Sequence, residues 1–537
     1  MRPATLRVGM STCGLAAGAG AAHRALTREI ALRELPLRLE GTGCLGACHR
    51  EPLVEVLDGA GAVLYGPITE EAVGPLLDHL SGAGAPVPED RVVSRRGDRS
   101  DYPFLGRQQK LTTQLCGVID PHSLDAYLAH GGYEALRQAR RTPPEQVVEA
   151  VKASRLRGRG GAGFPTGAKW EISRAQRRRP KYVVCNADEG DPGAFMDRTL
   201  IEGDPHRVIE GMLIGAWATG ATGAYVYIRA EYPLAVAALQ EAIGQARELG
   251  VVGRDVFGTG TPFEIVVKEG AGAFVCGEET ALMRSIEGHR GMPTMRPPYP
   301  SEHGLWGHPT TINNVETFAA VPSIMLEGPG WFAAMGTERC GGTKAFALAG
   351  AIERSGLVEV PMGMTLREMV YEIGGGCRGG RAFKAVQLGG PSGGCVPAGL
   401  LDTRIDYEDL RATGAIMGSG GMVVADETNC MVDLARFFLA FTQDESCGKC
   451  VPCRVGARKM LDLLTAATQG RAAPGDLRRL ESLCRTVEAA SLCGLGQTAP
   501  NPVRTTLRYF PEEYAAHMEE RRCPAGVCPM SGGQEAA

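Results

Sequence analysis

Through the first 82 residues, apolar residues at every second position alternate with stretches that place them three and four apart. TLRVGM (5–10) reads as a strand, AAHRALTREIALREL (21–35) as a helix, and LVEVLD (53–58) with AVLYG (62–66) as a hairpin turning at GAGA. TEEAVGPLLDHL (69–80) reads as a helix with a threonine cap and closes this small α/β unit. Residues 83–101, rich in Gly, Pro and charge, read as a linker. A long α/β region follows at 102–335. In it, GMLIGAWATGATGAYVYI (211–228) is uncharged but diluted by Gly, Ala and Thr, which predicts a buried helix running into a buried strand. VVCNADEGDPGAFMDR (183–198) and GAGAFVCGEETALMRS (270–285) each read as a strand leading into an acidic loop, the second opening a helix at its paired glutamates. Short strands return over 341–410, and apolar residues at i, i+3 and i+4 predict a helical bundle over 428–512. Residues 513–537 form a tail with His and Cys residues of its own.

At 537 residues the chain is too long for one core, and three to five domains are expected. A net charge of −4 gives no electrostatic basis for binding nucleic acid or an anionic membrane. There is no apolar signal-peptide core in MRPATLRVGM and no membrane-spanning run, so a cytoplasmic protein without membrane insertion is expected. Seventeen cysteines change the picture, because a reducing compartment does not maintain disulfides, and several cluster at short spacing near both ends. That clustering points to metal or iron–sulfur ligation. Cys116, Cys185, Cys276, Cys340, Cys377, Cys395 and Cys430 stand alone and read as small buried residues.

LRGRGGAGFPTGAKWEI (156–172) concentrates glycine beside positive charge. Gly158, Gly160, Gly161 and Gly163 offer backbone N–H groups at close range, with Arg159 and Lys169 as cationic arms. The stretch is neither a Walker loop nor a GxGxxG fingerprint, so a phosphate cradle and a structural turn both remain open. The acidic loops carry Asn186, Asp188, Glu189 and Asp191, and Glu278 with Glu279. Such groups at strand ends suit ribose hydroxyls or ring N–H groups, or are capped helices with solvated carboxylates.

GRGGAGFPTGAKW, NADEGDPGAFMDR, YIRAEYP, GAGAFVCGEETAL, PTTINNVET and ESCGKCVPCR occur in that order over about three quarters of the chain. In this the chain resembles the NADH-oxidising FMN/iron–sulfur flavoprotein subunits of respiratory complex I and of NAD-linked, electron-bifurcating hydrogenases and formate dehydrogenases. The resemblance implies a multidomain α/β protein: a thioredoxin-like domain (1–82), a Rossmann-like FMN and NAD(H) domain (102–335), a β-grasp module (341–410) and a helical bundle with a [4Fe–4S] cluster (428–512). It also implies that Gly158, Arg159, Gly160, Gly161, Lys169, Asn186, Asp188 and Glu189 line FMN, with Asn313 and Asn314 on its phosphate side. Phe164 would stack on adenine and Glu279 would accept ribose hydroxyls. Glu278 would stand at the nicotinamide–flavin contact as the catalytic residue, and Arg296 and Tyr299 would complete the nucleotide wall. Glu279 favours NAD over NADP.

CGKCVPC places Cys447, Cys450 and Cys453 at x2 spacing, with Cys493 of SLCGLGQ as a remote fourth, a [4Fe–4S] pattern. The N-terminal unit resembles thioredoxin-like [2Fe–2S] ferredoxins through Cys13, Cys44 and Cys48, but Val8 stands where the remaining cysteine belongs. Either a group such as Ser11 completes that shell, or the domain has lost its cluster and docks partners. In the tail, His517, Cys523 and Cys528 with Cys484 make a closed zinc set. The tail resembles that of the bifurcating relatives but stops before their ferredoxin-like extension. The resulting expectation is a soluble multi-subunit oxidoreductase component exchanging hydride with NAD(H). Its expected partners are a thioredoxin-like [2Fe–2S] subunit and a hydrogenase, formate dehydrogenase or acyl-CoA reductase, with ferredoxin and electron bifurcation in view. The competing readings are a non-catalytic iron–sulfur docking subunit and an NAD(H) sensor.

Overall fold

The computed structural model describes residues 4–530 except 60, 259 and 261. The GAGA turn at Ala60 and the tail beyond residue 530 therefore lie outside the described residues. Five strands form the first sheet: β1 (Ala4–Gly9), β2 (Leu37–Thr42), β3 (Val54–Asp58), β4 (Gly61–Tyr65) and β5 (Val92–Ser94), in the order β2-β1-β3-β4-β5. Only β1 and β2 run parallel. The helices Ala19–Leu32 and Glu70–Ser81 share one core with this sheet, through Ala22, Ala25 and Leu26, and Val73, Leu76 and Leu77. Thr69 occupies the N-cap of the second helix, but its hydroxyl caps no backbone N–H.

Two expectations are corrected here. The assigned linker is partly structural, because β5 at 92–94 pairs with β4. LRLEGT (37–42) is a strand that periodicity did not single out: it is an edge strand, mostly half-exposed and carrying Arg38 and Glu40.

The second sheet is all parallel: β6 (Tyr182–Ala187), β7 (Gly223–Arg229), β8 (Ile265–Gly270) and β9 (Thr310–Asn314), in the order β8-β7-β6-β9. The buried run of β6 is typical of a parallel strand covered on its faces. The uncharged stretch at 211–228 divides as expected. The helix Pro205–Thr219 is buried almost all round, Gly220 ends it at φ 72°, and β7 follows. The strand expected from residue 270 onward is corrected: β8 ends at Gly270, and Phe274–Gly277 is a 3₁₀ turn. Chain order runs outward from β6 to β7 and β8, then returns to place β9 on the other side of β6. The β6/β9 junction is thus a topological switch point, where a parallel sheet opens a crevice at its strand ends.

The third sheet holds β10 (Thr343–Gly350), β11 (Gly356–Pro361), β12 (Phe383–Leu388), β13 (Gly394–Pro397) and β14 (Gly421–Asp426), in the order β11-β10-β14-β12-β13. The last strand enters the centre, parallel to β10, so this unit reaches residue 426 rather than 410. Lys344 of β10 and Glu316 form a buried ion pair, while Ala345 N donates to Glu316 at 2.7 Å, joining the second and third units. The C-terminal bundle includes the helices Met431–Asp444, Arg458–Thr468, Asp476–Ala490, Asn501–Tyr509 and Pro511–Met518. Among the described residues no helix is long and apolar enough to cross a membrane.

Candidate functional site

The crevice at the switch point is where the expected site residues converge. β6 and β9 pair Asn186 with Asn314 and Cys185 with Asn313, so Asn186, Asp188, Asn313 and Asn314 all stand at the strand ends. Asn314 caps the helix Val315–Glu327 by accepting from Glu316 N at 2.9 Å, and its amide donates to Asp197 at 2.6 Å. The buried Asn313 carbonyl accepts from Trp170 Nε1 at 2.8 Å. Asn186 ties the site to the next loop, donating to Gly277 O at 2.9 Å and accepting from Asp188 N at 3.1 Å.

The glycine loop lies across these ends. A Cβ on Gly160 would come within 3.0 Å of Asn314 Cβ, so the loop packs tightly against the strand end there. Gly163 sits at φ +65° with the Tyr407 ring 2.4 Å from where its Cβ would be. Tyr407 OH donates to Gly158 O at 2.6 Å and carries the Arg157 guanidinium 4.4 Å over its ring. Tyr407 was not anticipated, and no spacing signal marks it. The 388–394 and 418–420 loops form a further unanticipated wall. Ser419 donates to Asp191, and a Cβ on Gly390 would meet that carboxylate. The glycine runs GGPSGG and GSGG were the available signal.

Two assigned residues are corrected. Arg159 is 1% exposed, and its guanidinium donates to the carbonyls of Arg157, Gly341 and Thr343. It is an internal brace rather than a cationic arm, and only its main chain faces the crevice loop. Glu189 likewise serves the chain: its carboxylate accepts from Asp197 N and Arg198 N at 3.0 and 3.1 Å, where the helix Met196–Gly203 begins. A carboxylate so placed satisfies orphan helix N–H groups.

Asp188 behaves differently. Both its carboxylate oxygens are buried without a hydrogen-bond partner, and burial pushes its pKa up to about 7 against the pull of Arg229. An unpaired buried carboxyl is costly, so this one fits a bound group bringing N–H or O–H donors. In the cofactor-free chain its folded pKa exceeds the unfolded value near 4. The folded state therefore holds the extra proton between about pH 4 and 7, and Asp188 costs stability as pH rises through that window. Asp188→Asn is expected to raise the Tm of the cofactor-free protein more at pH 8 than at pH 5, which thermal unfolding at the two pH values checks.

On the outer side, Glu278 caps the helix Glu279–Ile286, accepting from Thr280 N and Ala281 N at 3.0 Å. Glu279 lies between Arg296 Nη1 at 2.5 Å and Lys169 Nζ at 3.6 Å. Lys169 also donates to Ile312 O at 3.0 Å. Phe164 and Tyr299 are half-exposed, at 50% and 53%, which leaves their ring faces free for a planar ligand.

Behind the 3₁₀ turn lies a second centre. Cys447, Cys450, Cys453 and Cys493 line one small cavity together with Val275 of the turn and Pro293. Phe274 N donates to Glu445 at 2.9 Å and Lys449 Nζ to Pro293 O at 2.6 Å, pinning the cysteine loop to the crevice wall. The turn therefore borders both sites: Gly277 O receives Asn186, and Val275 faces the thiols. Cys493 is pushed up to about 11, by burial first and then in part by the charge of Glu278.

The tail set is corrected in one ligand. The ligand atoms of Cys430, His517, Cys523 and Cys528 all lie within 4.8 Å of one another. Cys430 Sγ is 3.3 Å from His517 Nε2 and 3.6 Å from Cys528 Sγ, and the latter is 3.4 Å from His517 Nε2. Those edges suit a tetrahedron with zinc–sulfur bonds of about 2.3 Å. His517 Nδ1 donates to Glu513 O at 2.7 Å, leaving Nε2 for a metal. Cys484 is instead buried in the bundle, its Sγ 3.6 Å from Met460 Sδ. Cys430 was read as an isolated core residue because 87 residues separate it from His517.

In the N-terminal unit the Cys48 thiol interacts with both Cys13 and Cys44. Arg198 Nη2 reaches Cys13 Sγ at 3.7 Å, and Thr12 donates through its N–H and hydroxyl to Glu202. The three thiols thus stand against the helix Met196–Gly203, whose first turn is held by Glu189.

Comparison with known proteins matches two regions of the chain to known families. Residues 151–323 match the Nuo51 FMN-binding domain. Residues 433–517 match the NADH-ubiquinone oxidoreductase-F iron-sulfur binding region. The chain is 56% identical to the NADP-reducing hydrogenase subunit HndC of Solidesulfovibrio fructosivorans, over 79% of this chain and 86% of that subunit. It is 47% identical to the F 2 subunit of the NADH-quinone oxidoreductase of Rhizobium meliloti, over 76% of this chain and 97% of that subunit. Among solved structures, a chain of an NAD+-reducing [NiFe]-hydrogenase in the H2-reduced state superposes with a TM-score of 0.67. It is 30% identical and matches over 98% of this chain and 86% of that one.

Proposed function

Because the chain belongs to the family of NADH-oxidising FMN/iron–sulfur flavoprotein subunits, typified by the F subunits of NADH-quinone oxidoreductases, we propose that it exchanges hydride with NAD(H) at the switch-point crevice. Cys447, Cys450, Cys453 and Cys493 would hold a [4Fe–4S] cluster, which would supply a one-electron path toward a partner catalytic subunit. The observation that carries this reading is the shared 3₁₀ turn, with the unpaired Asp188 carboxylate on the crevice side and four cysteines on the other. On this reading the three α/β units are thioredoxin-like, Rossmann-like and β-grasp, and the bundle carries the cubane.

FMN, when bound, supplies the conversion between two-electron hydride chemistry and one-electron transfer. Gly158, Gly160 and Gly161 let main-chain N–H groups approach it, and the Asn314-capped helix directs its N-terminus toward phosphate. Asp188 accepts from donors on the bound group. Glu278 holds the helix beside the nicotinamide position, so the dinucleotide is oriented before it reacts. Phe164 and Tyr299 offer faces to adenine, and Glu279 accepts ribose hydroxyls while Arg296 and Lys169 hold it in place. A carboxylate at that position disfavours a 2′-phosphate, so NAD(H) is the nucleotide we assign, although one relative is named as NADP-reducing.

Cys430, His517, Cys523 and Cys528 bind structural zinc, clamping the tail to the bundle. Elemental analysis is expected to find about one zinc per chain in the wild type and in Cys484→Ser, and none in Cys430→Ser. The N-terminal thiols bind a [2Fe–2S] centre. The hydrogenase names among the relatives favour a hydrogenase-type partner beside a thioredoxin-like [2Fe–2S] subunit. Mass spectrometry of co-purifying proteins separates these from formate dehydrogenase, acyl-CoA reductase or ferredoxin, and from the assemblies that bifurcate electrons. The reading itself is tested by adding NADH to the anoxic purified protein: the flavin absorbance bleaches. A brown protein without a yellow chromophore would point to a docking subunit, and bound nucleotide without bleaching would point to a sensor.

A further inference from the structure

The N-terminal thiols leave a shell of four one donor short, and nothing on β1 makes up the shortfall. Val8, which stands where the resemblance to thioredoxin-like ferredoxins calls for a cysteine, is wholly buried, pairs with Val54 and packs among Leu6, Val54 and Val56. Its side chain belongs to the sheet core and carries no donor atom. Polar groups beside the thiols include Glu51, Arg198 and Glu202, and Ser11 stands two residues before Cys13. Arg198 is a cation, and both oxygens of Glu202 are taken by Thr12. The Ser11 hydroxyl is buried without a partner, but a neutral hydroxyl must lose a proton of high pKa before it binds ferric iron.

Glu51 meets each requirement. It is 8% exposed, and its Oε1 lies 3.6 Å from Cys44 Sγ, the spacing of two ligands on one tetrahedral metal. Its carboxylate reaches across to the opposite loop: a Cβ on Gly14 would lie 3.3 Å from Oε2, and one on Gly9 3.6 Å from either oxygen. It thus spans from the Cys44–Cys48 turn to the segment that bears Cys13. Leu53 N donates to Oε2 at 2.9 Å, orienting the group so that Oε1 faces Cys44. Carboxylate and thiolate carry the same charge, so the exchange leaves the net charge of a two-iron centre unchanged.

Resting on the reading that this unit holds a two-iron centre, we infer that Glu51 is its fourth ligand, completing Cys13, Cys44 and Cys48. The centre then stands on the helix Met196–Gly203, with Arg198 as the shared element: its guanidinium reaches Cys13 and its N–H meets Glu189 of the crevice loop. That position makes it a one-electron station separate from the cubane.

The test uses the full chain, purified anoxically, with iron and sulfide counts and Mössbauer spectra. The wild type is expected to hold about six irons, with the two-iron centre giving two unlike ferric doublets, as mixed donors do in other two-iron centres. Glu51→Gln is expected to lose about two irons while the cubane persists. Glu51→Cys, which restores four thiolates, is expected to keep them and bring the doublets together. A Glu51→Gln chain that retains the centre with an unchanged spectrum would overturn the assignment. So would loss of the centre in Ser11→Ala alone, which would move the ligand to the serine. A wild type with only about four irons would overturn the two-iron reading itself, and the ligand with it.

Discussion

Replacing Cys493 with alanine is expected to abolish the cubane's spectroscopic signature and electron delivery to a one-electron partner, while NADH still bleaches the flavin. The separation of effects follows from the architecture. Cys493 reaches the cavity from the N-cap of the helix Gly494–Thr498, whereas the other three ligands sit close together at 447–453, on a loop and the helical turn Pro452–Ala457 that follows it. The side chains assigned to the flavin are held elsewhere: Asp188, Asn313 and Asn314 are positioned by β6, β9 and the helix Val315–Glu327. Cys450→Ala should behave the same way, since both remove one thiolate from a set of four. Elemental analysis is expected to show a loss of about four irons per chain, and turnover with a one-electron acceptor should fall to background. Loss of bleaching in both variants would mean that the 3₁₀ turn at Phe274–Gly277 needs the cluster to hold its shape.

The second large effect is on flavin retention. Asp188 offers two buried acceptors with no partner in the chain. A hydrogen bond to a charged group contributes about 1.5–3 kcal/mol, so Asp188→Asn is expected to weaken FMN binding roughly ten- to hundredfold. The same substitution stabilises the cofactor-free protein at high pH, because it removes a carboxylate that burial holds up to about 7. Opposite signs for the empty and loaded protein mark a group placed for its ligand rather than for the fold. Flavin titration of the apoprotein, alongside its thermal unfolding, measures both.

What could be read before any coordinates divides along a physical line. Local pattern sufficed where the geometry was local: the close spacing of Cys447, Cys450 and Cys453, and the strand running into the loop at Asn186, whereas Asn313 entered only through the family resemblance. It failed where the answer depended on packing between distant segments. Glu189 and Asp188 are adjacent and chemically alike, yet one caps a helix while the other is left unpaired, and only the path of the chain after Asp191 decides which. Arg159 looked like a phosphate arm until Gly341 and Thr343, from another unit, turned out to hold its guanidinium. Cys430 and Cys484 exchanged roles because Cys430 lies at the extended N-cap of the helix Met431–Asp444, next to the tail only through folding, whereas Cys484 faces inward on the helix Asp476–Ala490. The edge strand β2 was missed because Arg38 and Glu40 break its apolar run, and β5 was assigned to a linker because it is only VVS within a stretch rich in Gly, Pro and charge.

Rapid mixing of NADH with the anoxic protein, followed by freeze-quench EPR and optical spectra on the same samples, tests the central claim most directly. The account predicts that flavin absorbance falls and the reduced-cubane signal rises in the same early time points. A bleached flavin beside a fully loaded but oxidised cubane, persisting long after mixing, would contradict it.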